Sequence, residues 1–168
     1  SNKSKEQAFK ELVTEYKERL YWHIRHIVKS HDDADDVLQN TFIKVFKNID
    51  KFKGDSKIYS WMYRIATNES ISHINKNAKR LQISNEEAQE LVINNLKADV
   101  YFECEDIQHK LQQAIATLPQ KQQIVFNMKY FQDIKYKDMS EILETSEGAL
   151  KASYHIAVKK IENYLTSN

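Results

Sequence analysis

Gly54, Pro119 and Gly148 are all the glycine and proline in this 168-residue chain. That scarcity constrains the fold more than any other feature. A β-sandwich or barrel needs glycine or proline at many tight hairpins, and this chain cannot supply them. Gly54 and Gly148 stand 94 residues apart, so there is no phosphate-binding glycine loop and no dinucleotide fingerprint. A single cysteine, Cys104, excludes a disulfide framework and a cysteine-based zinc site. No apolar run approaches the ~20 residues of a membrane span, and residues 1–17 are too polar for a secretory signal. The expectation is an intracellular all-α protein without membrane insertion, in one domain or two small ones at ~100–200 residues each.

Apolar residues recur at helical spacing in two blocks. Phe9, Leu12, Val13, Tyr16, Leu20, Ile24, Ile27 and Val28 predict a helix over about 6–29. His31-Asp32-Asp33 breaks it and offers an N-cap and first-turn acids to the next helix, whose stripe is Val37, Leu38, Phe42, Val45, Phe46 and Ile49. After a second break, with Asp55 or Ser56 as cap, Trp61, Met62, Ile65, Ala66, Ile71 and Ile74 carry a third helix into Lys76–Arg80. The second block starts at residue 106 with Ile107, Leu111, Ala114, Ile115 and Leu118. Pro119 suits the first turn of the helix that follows. A short helix with Tyr136, Met139, Ile142 and Leu143 inward precedes the turn Glu144-Thr145-Ser146, where Ser146 is the expected N-cap. The last helix, about 147–165, aligns Leu150, Tyr154, Ala157, Ile161 and Leu165. Residues 81–105 lie between the blocks as an acidic tether, with a short helix expected around 86–97.

The formal net charge of +1 conceals an uneven distribution: residues 44–80 carry net +6 and residues 81–110 net −5. A polyanion would meet part of the N-terminal block, although a solvated basic helix face fits the same charge. Within that block Phe52, Tyr59, Trp61, Tyr63, Arg64 and Asn68 interleave with Lys57, Lys76, Lys79 and Arg80. Aromatic platforms with cations suit single-stranded nucleic acid, and a flipped base needs an apolar wall and a polar reader. Core packing is the alternative for Trp61. A short helix, a three-residue turn and a long helix also match a helix-turn-helix, with Glu147, Gly148, Lys151, Ala152, Ser153, His155 and Lys159 outward. A small helical bundle without nucleic acid has the same spacing.

Catalytic constellations are missing. His23 and His26 share a helix face with no completing carboxylate and read as exposed helical histidines. Cys104 stands among Glu103, Glu105 and Asp106, which disfavour a thiolate. Asp32, Asp33, Asp35 and Asp36 read as capping and dipole partners rather than as a cation site. No enzyme activity, cofactor or metal is expected. A dimeric helix-turn-helix regulator and a non-DNA helical adaptor remain open from the residues alone.

Three segments resemble a known family. DADDVLQNTFIKVFKNIDKF (33–52) resembles region 2.2 of bacterial RNA polymerase sigma factors. SKIYSWMYRIATNESISHINKNAKR (56–80) is similar to the promoter-melting and minus-ten segment that follows it, and residues 118–165 resemble region 4. Their joining with no third domain between them is the layout of the extracytoplasmic-function group. The resemblance implies two small helical domains, region 2 at 1–80 and region 4 at 106–168, with 81–105 as the acidic inter-domain linker. It implies a non-catalytic cytoplasmic monomer that binds core RNA polymerase and promoter DNA and directs transcription initiation, with an anti-sigma factor as an open further partner.

Residue by residue, the resemblance places Asp36, Gln39 and Asn40 at the polymerase contact. Phe52 and Asn68 fall at the pocket for a flipped minus-ten base, Lys53 to Tyr59 at the specificity loop, and Trp61 in the melting segment. Lys57, Arg64, Lys76, Lys79 and Arg80 would hold phosphates. Glu147, Gly148, Lys151, Ala152, Ser153, His155 and Lys159 fall on the helix that reads the minus-thirty-five element. Family members often carry arginine where this chain has Ser153 and Ile156, which implies weaker or different upstream recognition.

Overall fold

A computed structural model describes residues 2–84, 86–88, 90–91 and 106–167, and every regular element among them is helical. The chain divides into two compact units. One is built on α1 (Asn2–Val28), α2 (His31–Asn48) and α3 (Ile58–Leu81) through Ile74. The other is built on α4 (Asp106–Ala116), α5 (Gln120–Tyr130), the first turns of α6 (Tyr136–Leu143) and α7 (Glu147–Ser167).

In the first unit α1 packs along α2. α1 buries Leu20, Ile24, Ile27 and Val28, and α2 buries Ala34, Val37, Leu38, Thr41 and Val45. Lys29 terminates α1 in the left-handed region at φ 65, a conformation that costs a non-glycine residue about 1 kcal/mol. The cap of α2 is Ser30, one residue ahead of the expected His31-Asp32-Asp33. Its Oγ accepts from the Asp33 N–H at 3.4 Å, and Asp32 and Asp33 fill the first turn, where the helix dipole favours anions. Gly54 turns the following loop at φ 76. α3 starts at Ile58, past the expected caps Asp55 and Ser56, and its Trp61 N–H donates to the Lys57 carbonyl at 3.2 Å.

α3 buries Met62, Tyr63, Ala66, Thr67 and Ser70. The Thr67 and Ser70 hydroxyls each donate to the carbonyl four residues back at 2.7 Å. Side chains that satisfy themselves in this way leave neither of these two hydroxyls unpaired. His23 overturns its expectation. It is 1% exposed, its Nε2 lies 2.7 Å from Thr67 Oγ1, and its ring centroid lies 4.7 Å from that of Tyr63. His26 is half-buried, with Nδ1 donating to the Trp22 carbonyl at 2.7 Å. His23 stands one turn after Leu20, so helical position overrules residue type.

In the second unit Ala114, Ile115, Leu118, Phe126, Ala157 and Ile161 form the core, flanked by Leu111, Tyr154, Val158 and Tyr164. Ile107 is 76% exposed, so the α4 stripe begins at Leu111. Pro119 takes the N-cap of α5 (φ −55, ψ 147) rather than its first turn. Glu144 ends α6 at φ 52, and Ser146 Oγ accepts from the Ala149 N–H at 3.3 Å, so the expected cap of the long helix is in place.

Of the expected tether, Ser84 and Glu87 form a reciprocal capping box. The Ser84 N–H donates to Glu87 Oε2 at 2.7 Å and the Glu87 N–H to Ser84 Oγ at 3.1 Å. Those bonds hold the Glu87 carboxyl below its ordinary range. A helical segment is present at Glu86–Ala88 and Glu90–Leu91. The remainder of the helix expected over 86–97 and of the 81–105 linker, Cys104 included, lies outside the described residues.

Candidate functional site

Asp36, Gln39 and Asn40 are all exposed on α2. Asp36 and Gln39 border a groove of about 740 Å³ between α1 and α2. Its apolar lining is Phe9 and Val13 from α1 and Leu38, Phe42, Ile43 and Phe46 from α2, with Lys17, Asp35 and Lys47 at the rim. Phe9 meets Phe42 and Phe46 edge-on, at centroid distances of 6.1 and 5.0 Å. Ile43 is 45% exposed. Periodicity alone does not single it out, because it stands off the stripe of Leu38, Phe42 and Val45. An apolar residue off that stripe was the available signal.

Phe52, Lys57, Tyr59 and Trp61 come together at the start of α3. The Phe52 and Trp61 rings lie 5.3 Å apart and are tilted by 39°, and both residues are half-buried. Trp61 is thus held by a neighbouring ring rather than sunk in the core. Tyr59 meets Tyr63 edge-on at 5.8 Å, and the Lys57 ammonium lies 5.8 Å from the Tyr59 ring centroid. Tyr63 is 1% exposed and belongs to the core instead of the aromatic surface. Trp61, half-buried Arg64, exposed Asn68 and exposed Lys79 recur at spacings that align on one helix face. Lys76 and Arg80 are exposed near the other end of α3, more than 20 Å along the axis from its start at about 1.5 Å per residue.

On α7 the exposed residues Gly148, Lys151, Ala152, His155 and Lys159 follow spacings that place them on one face, opposite buried Leu150, Ala157 and Ile161. Glu147 is exposed in the first turn, where its charge suits the dipole. Ser153 is half-buried and sits about 100° around the helix from Ala152. Ile156 is 45% exposed. The Lys151 ammonium lies 5.7 Å from the ring centroid of Tyr136, and Lys129 approaches the same ring at 4.9 Å. Tyr136 opens the first helix of the motif, so that helix steadies a lysine of the second. Its burial raises its hydroxyl pKa above the ordinary value. Helical periodicity places Tyr136 inward and gives Lys129 no role, because this contact joins three separate helices.

Among the described residues no group of three or more His, Cys, Asp or Glu is placed to hold a metal ion, and no helix is long and apolar enough to cross a membrane.

Comparison with known proteins bears on both units. Residues 12–80 match the family model of sigma-70 region 2, and residues 108–161 match that of sigma-70 region 4. The chain is 28% identical over 161 residues to the ECF RNA polymerase sigma factor SigW of Bacillus subtilis, covering 91% of this chain and 86% of that protein. It is also 28% identical over 165 residues to the ECF RNA polymerase sigma-E factor of Haemophilus influenzae, covering 94% and 87%. The fold is that of the sigma factor RpoE solved in complex with the anti-sigma factor NepR from Bartonella quintana, with a TM-score of 0.72, 18% identity, and 95% and 98% of the two chains covered. CnrH, solved in complex with the cytosolic domain of CnrY, superimposes with a TM-score of 0.71 at 19% identity, covering 97% and 90%. With both matched regions in order and relatives aligned along nearly its whole length, the chain belongs to the sigma-70 family as an RNA polymerase sigma factor of the extracytoplasmic-function group.

Proposed function

We propose that this sigma factor docks on core RNA polymerase through the α1–α2 groove and its rim, with Asp36, Gln39 and Asn40 as polar contacts. The observation that carries this reading is the groove itself. Exposed Ile43 lies beside half-buried Phe9, Phe42 and Phe46, and two of the three polar residues stand at the edge. Free apolar surface rimmed by polar groups marks a protein partner site. Residues 1–80 act as region 2, with Phe52 and Asn68 at a flipped minus-ten base, Trp61 at melting, and Lys57, Arg64, Lys76, Lys79 and Arg80 at phosphates. Residues 81–105 act as the linker and residues 106–168 as region 4. The protein works without catalytic chemistry of its own, in the cytoplasm, where the polymerase is. An anti-sigma factor, the partner with which the Bartonella quintana protein was solved, is a third proposed partner and would compete for the same groove.

Gel filtration with sigma-free core polymerase tests the reading. The parent should co-elute with core, and the Gln39→Ala/Asn40→Ala variant should not. Failure of the parent to bind would return the chain to the reading of a free-standing helix-turn-helix regulator.

On the upstream side, Lys151 is the best-placed cation of α7. Lys151→Ala should weaken holoenzyme binding to the upstream duplex by about 1 kcal/mol, at the low end of a base-edge contact because a flexible ammonium lacks the rigid planar fork of arginine. Unchanged affinity in a filter-binding titration would remove Lys151 from the interface.

A further inference from the structure

Arg19 stands 40 residues before Tyr59 in sequence, on another helix. The fold brings them together. The Arg19 guanidinium carbon lies 5.6 Å from the Tyr59 ring centroid, 5.7 Å from that of Tyr16 and 6.0 Å from that of Tyr63. Tyr16 precedes Arg19 by one turn of α1, and Tyr59 and Tyr63 are one turn apart on α3. Three rings therefore surround one cation, which also donates a hydrogen bond to the Tyr63 hydroxyl and whose residue is still exposed. Lys57 adds a second cation to the Tyr59 ring at 5.8 Å. The nearby carboxylate of Glu15 acts on the Tyr16 side of this group.

Two features separate this cluster from an ordinary tie between helices. Tyr59 is half-buried, and positive groups from two different elements converge on its ring. A π-face with flanking cations is the chemistry that binds a single nucleic-acid strand, with the base on the ring and phosphates on the cations. An arginine in free solution loses much rotamer freedom when it grips a phosphate. Here the three rings have already restricted that freedom.

We propose that Arg19 is a promoter-strand contact, which grips a phosphate from α1 and fixes the Tyr59 ring as the platform for the adjoining base. The proposal rests on the phosphate role proposed above for Lys57 and on the place of Tyr59 in the expected specificity loop, and adds to them a residue of α1.

The test uses holoenzyme assembled on core polymerase. Parent holoenzyme first selects a promoter from a random-sequence duplex library, and the selected promoter is then prepared pre-melted across its minus-ten region. Affinity for that probe is measured from about 50 to 200 mM salt, the range over which phosphate contacts lose most strength. Arg19→Ala should bind about five- to tenfold more weakly at the low-salt end, and its log–log salt slope should shrink by about 0.7, the value of one single-strand phosphate contact. Arg19→Lys keeps the charge and should keep the slope. Both variants should co-elute with core, and Arg19→Ala should melt a little below the parent because it loses its ring contacts between α1 and α3. An unchanged slope in Arg19→Ala overturns the proposal even if affinity falls, because a packing tie releases no counterion. If the parent holoenzyme selects no promoter, the sigma reading itself fails, and that result is seen before any variant is made.

Discussion

An Ile43→Glu variant is expected to bind core RNA polymerase at least about 100-fold more weakly than the parent, a loss of about 2.7 kcal/mol. Its helix content and melting should stay unchanged. Ile43 is 45% exposed in the free protein, so a carboxylate there meets water and costs the fold little. In the docked state the same carboxylate would lie against Phe9, Phe42 and Phe46 and lose its hydration with no designed partner. The effect should exceed that of Gln39→Ala/Asn40→Ala, because losing rim hydrogen bonds costs less than burying a charge at the centre of an interface. Ile43→Val, which keeps the apolar contact, should bind within a few-fold of the parent. Titration of labelled core with each variant measures all three. If Ile43→Glu binds like the parent, the α1–α2 groove is not the docking face.

Much of the fold was legible because its causes are local. Ser146 caps α7 where a serine after a break should, and the scarcity of glycine and proline left only helices. The offsets are also physical. Ser30 rather than His31 caps α2, and Pro119 sits at the cap rather than inside the first turn of α5. In both cases the pattern marks a break and the backbone chooses within one residue. Ile107 has the right period and is still exposed among the described residues, because periodicity gives a face and not the point at which a helix leaves its core. His23 and Tyr63 lie on buried faces beside Leu20 and Met62, and their polar atoms suggested surface until a partner appeared across the core.

The candidate site divides in the same way. Residues that follow one another in a motif, such as Phe52 to Trp61, are legible through the family resemblance. Contacts that join separate elements are not. Ile43 gains meaning only from Phe9 on α1, Lys151 from Tyr136 on α6, and Arg19 from Tyr59 on α3. In the last two cases an aromatic ring on one helix orients a cation on another. That arrangement sets a charge in place without neutralising it, which suits a protein that must meet a polyanion and yet carries a net charge of only +1.

Acid should destabilise the α1–α3 unit before the carboxylates titrate. Burial, aided by the charge of His26, holds His23 down to about 3 from the ordinary 6.5. Burial and Lys29 hold His26 down to about 4. Lys29 is itself lowered by burial and by Arg25 to about 8, so it stays charged across the acid range and keeps opposing a proton on His26. The one proton of the Thr67 hydroxyl goes to the Tyr63 carbonyl, so Thr67 accepts from His23 Nε2–H, and the ring lies against Tyr63. Both folded-state values lie below the unfolded one. The stability they contribute is therefore complete above about pH 6.5 and is lost progressively as pH falls toward 3. His23 alone should account for about 2 kcal/mol of lost stability between pH 7 and pH 5. Trp22 and Trp61 are the two tryptophans of the chain, and both belong to this unit, so urea melts followed by tryptophan fluorescence report it alone. His23→Gln still offers Thr67 a donor and cannot take the proton, so it should flatten the pH dependence by roughly half and leave the His26 share. A parent whose urea midpoint holds steady from pH 7 to 5, or a His23→Gln variant with the parent's full slope, would show that His23 is not the group whose protonation opens the fold.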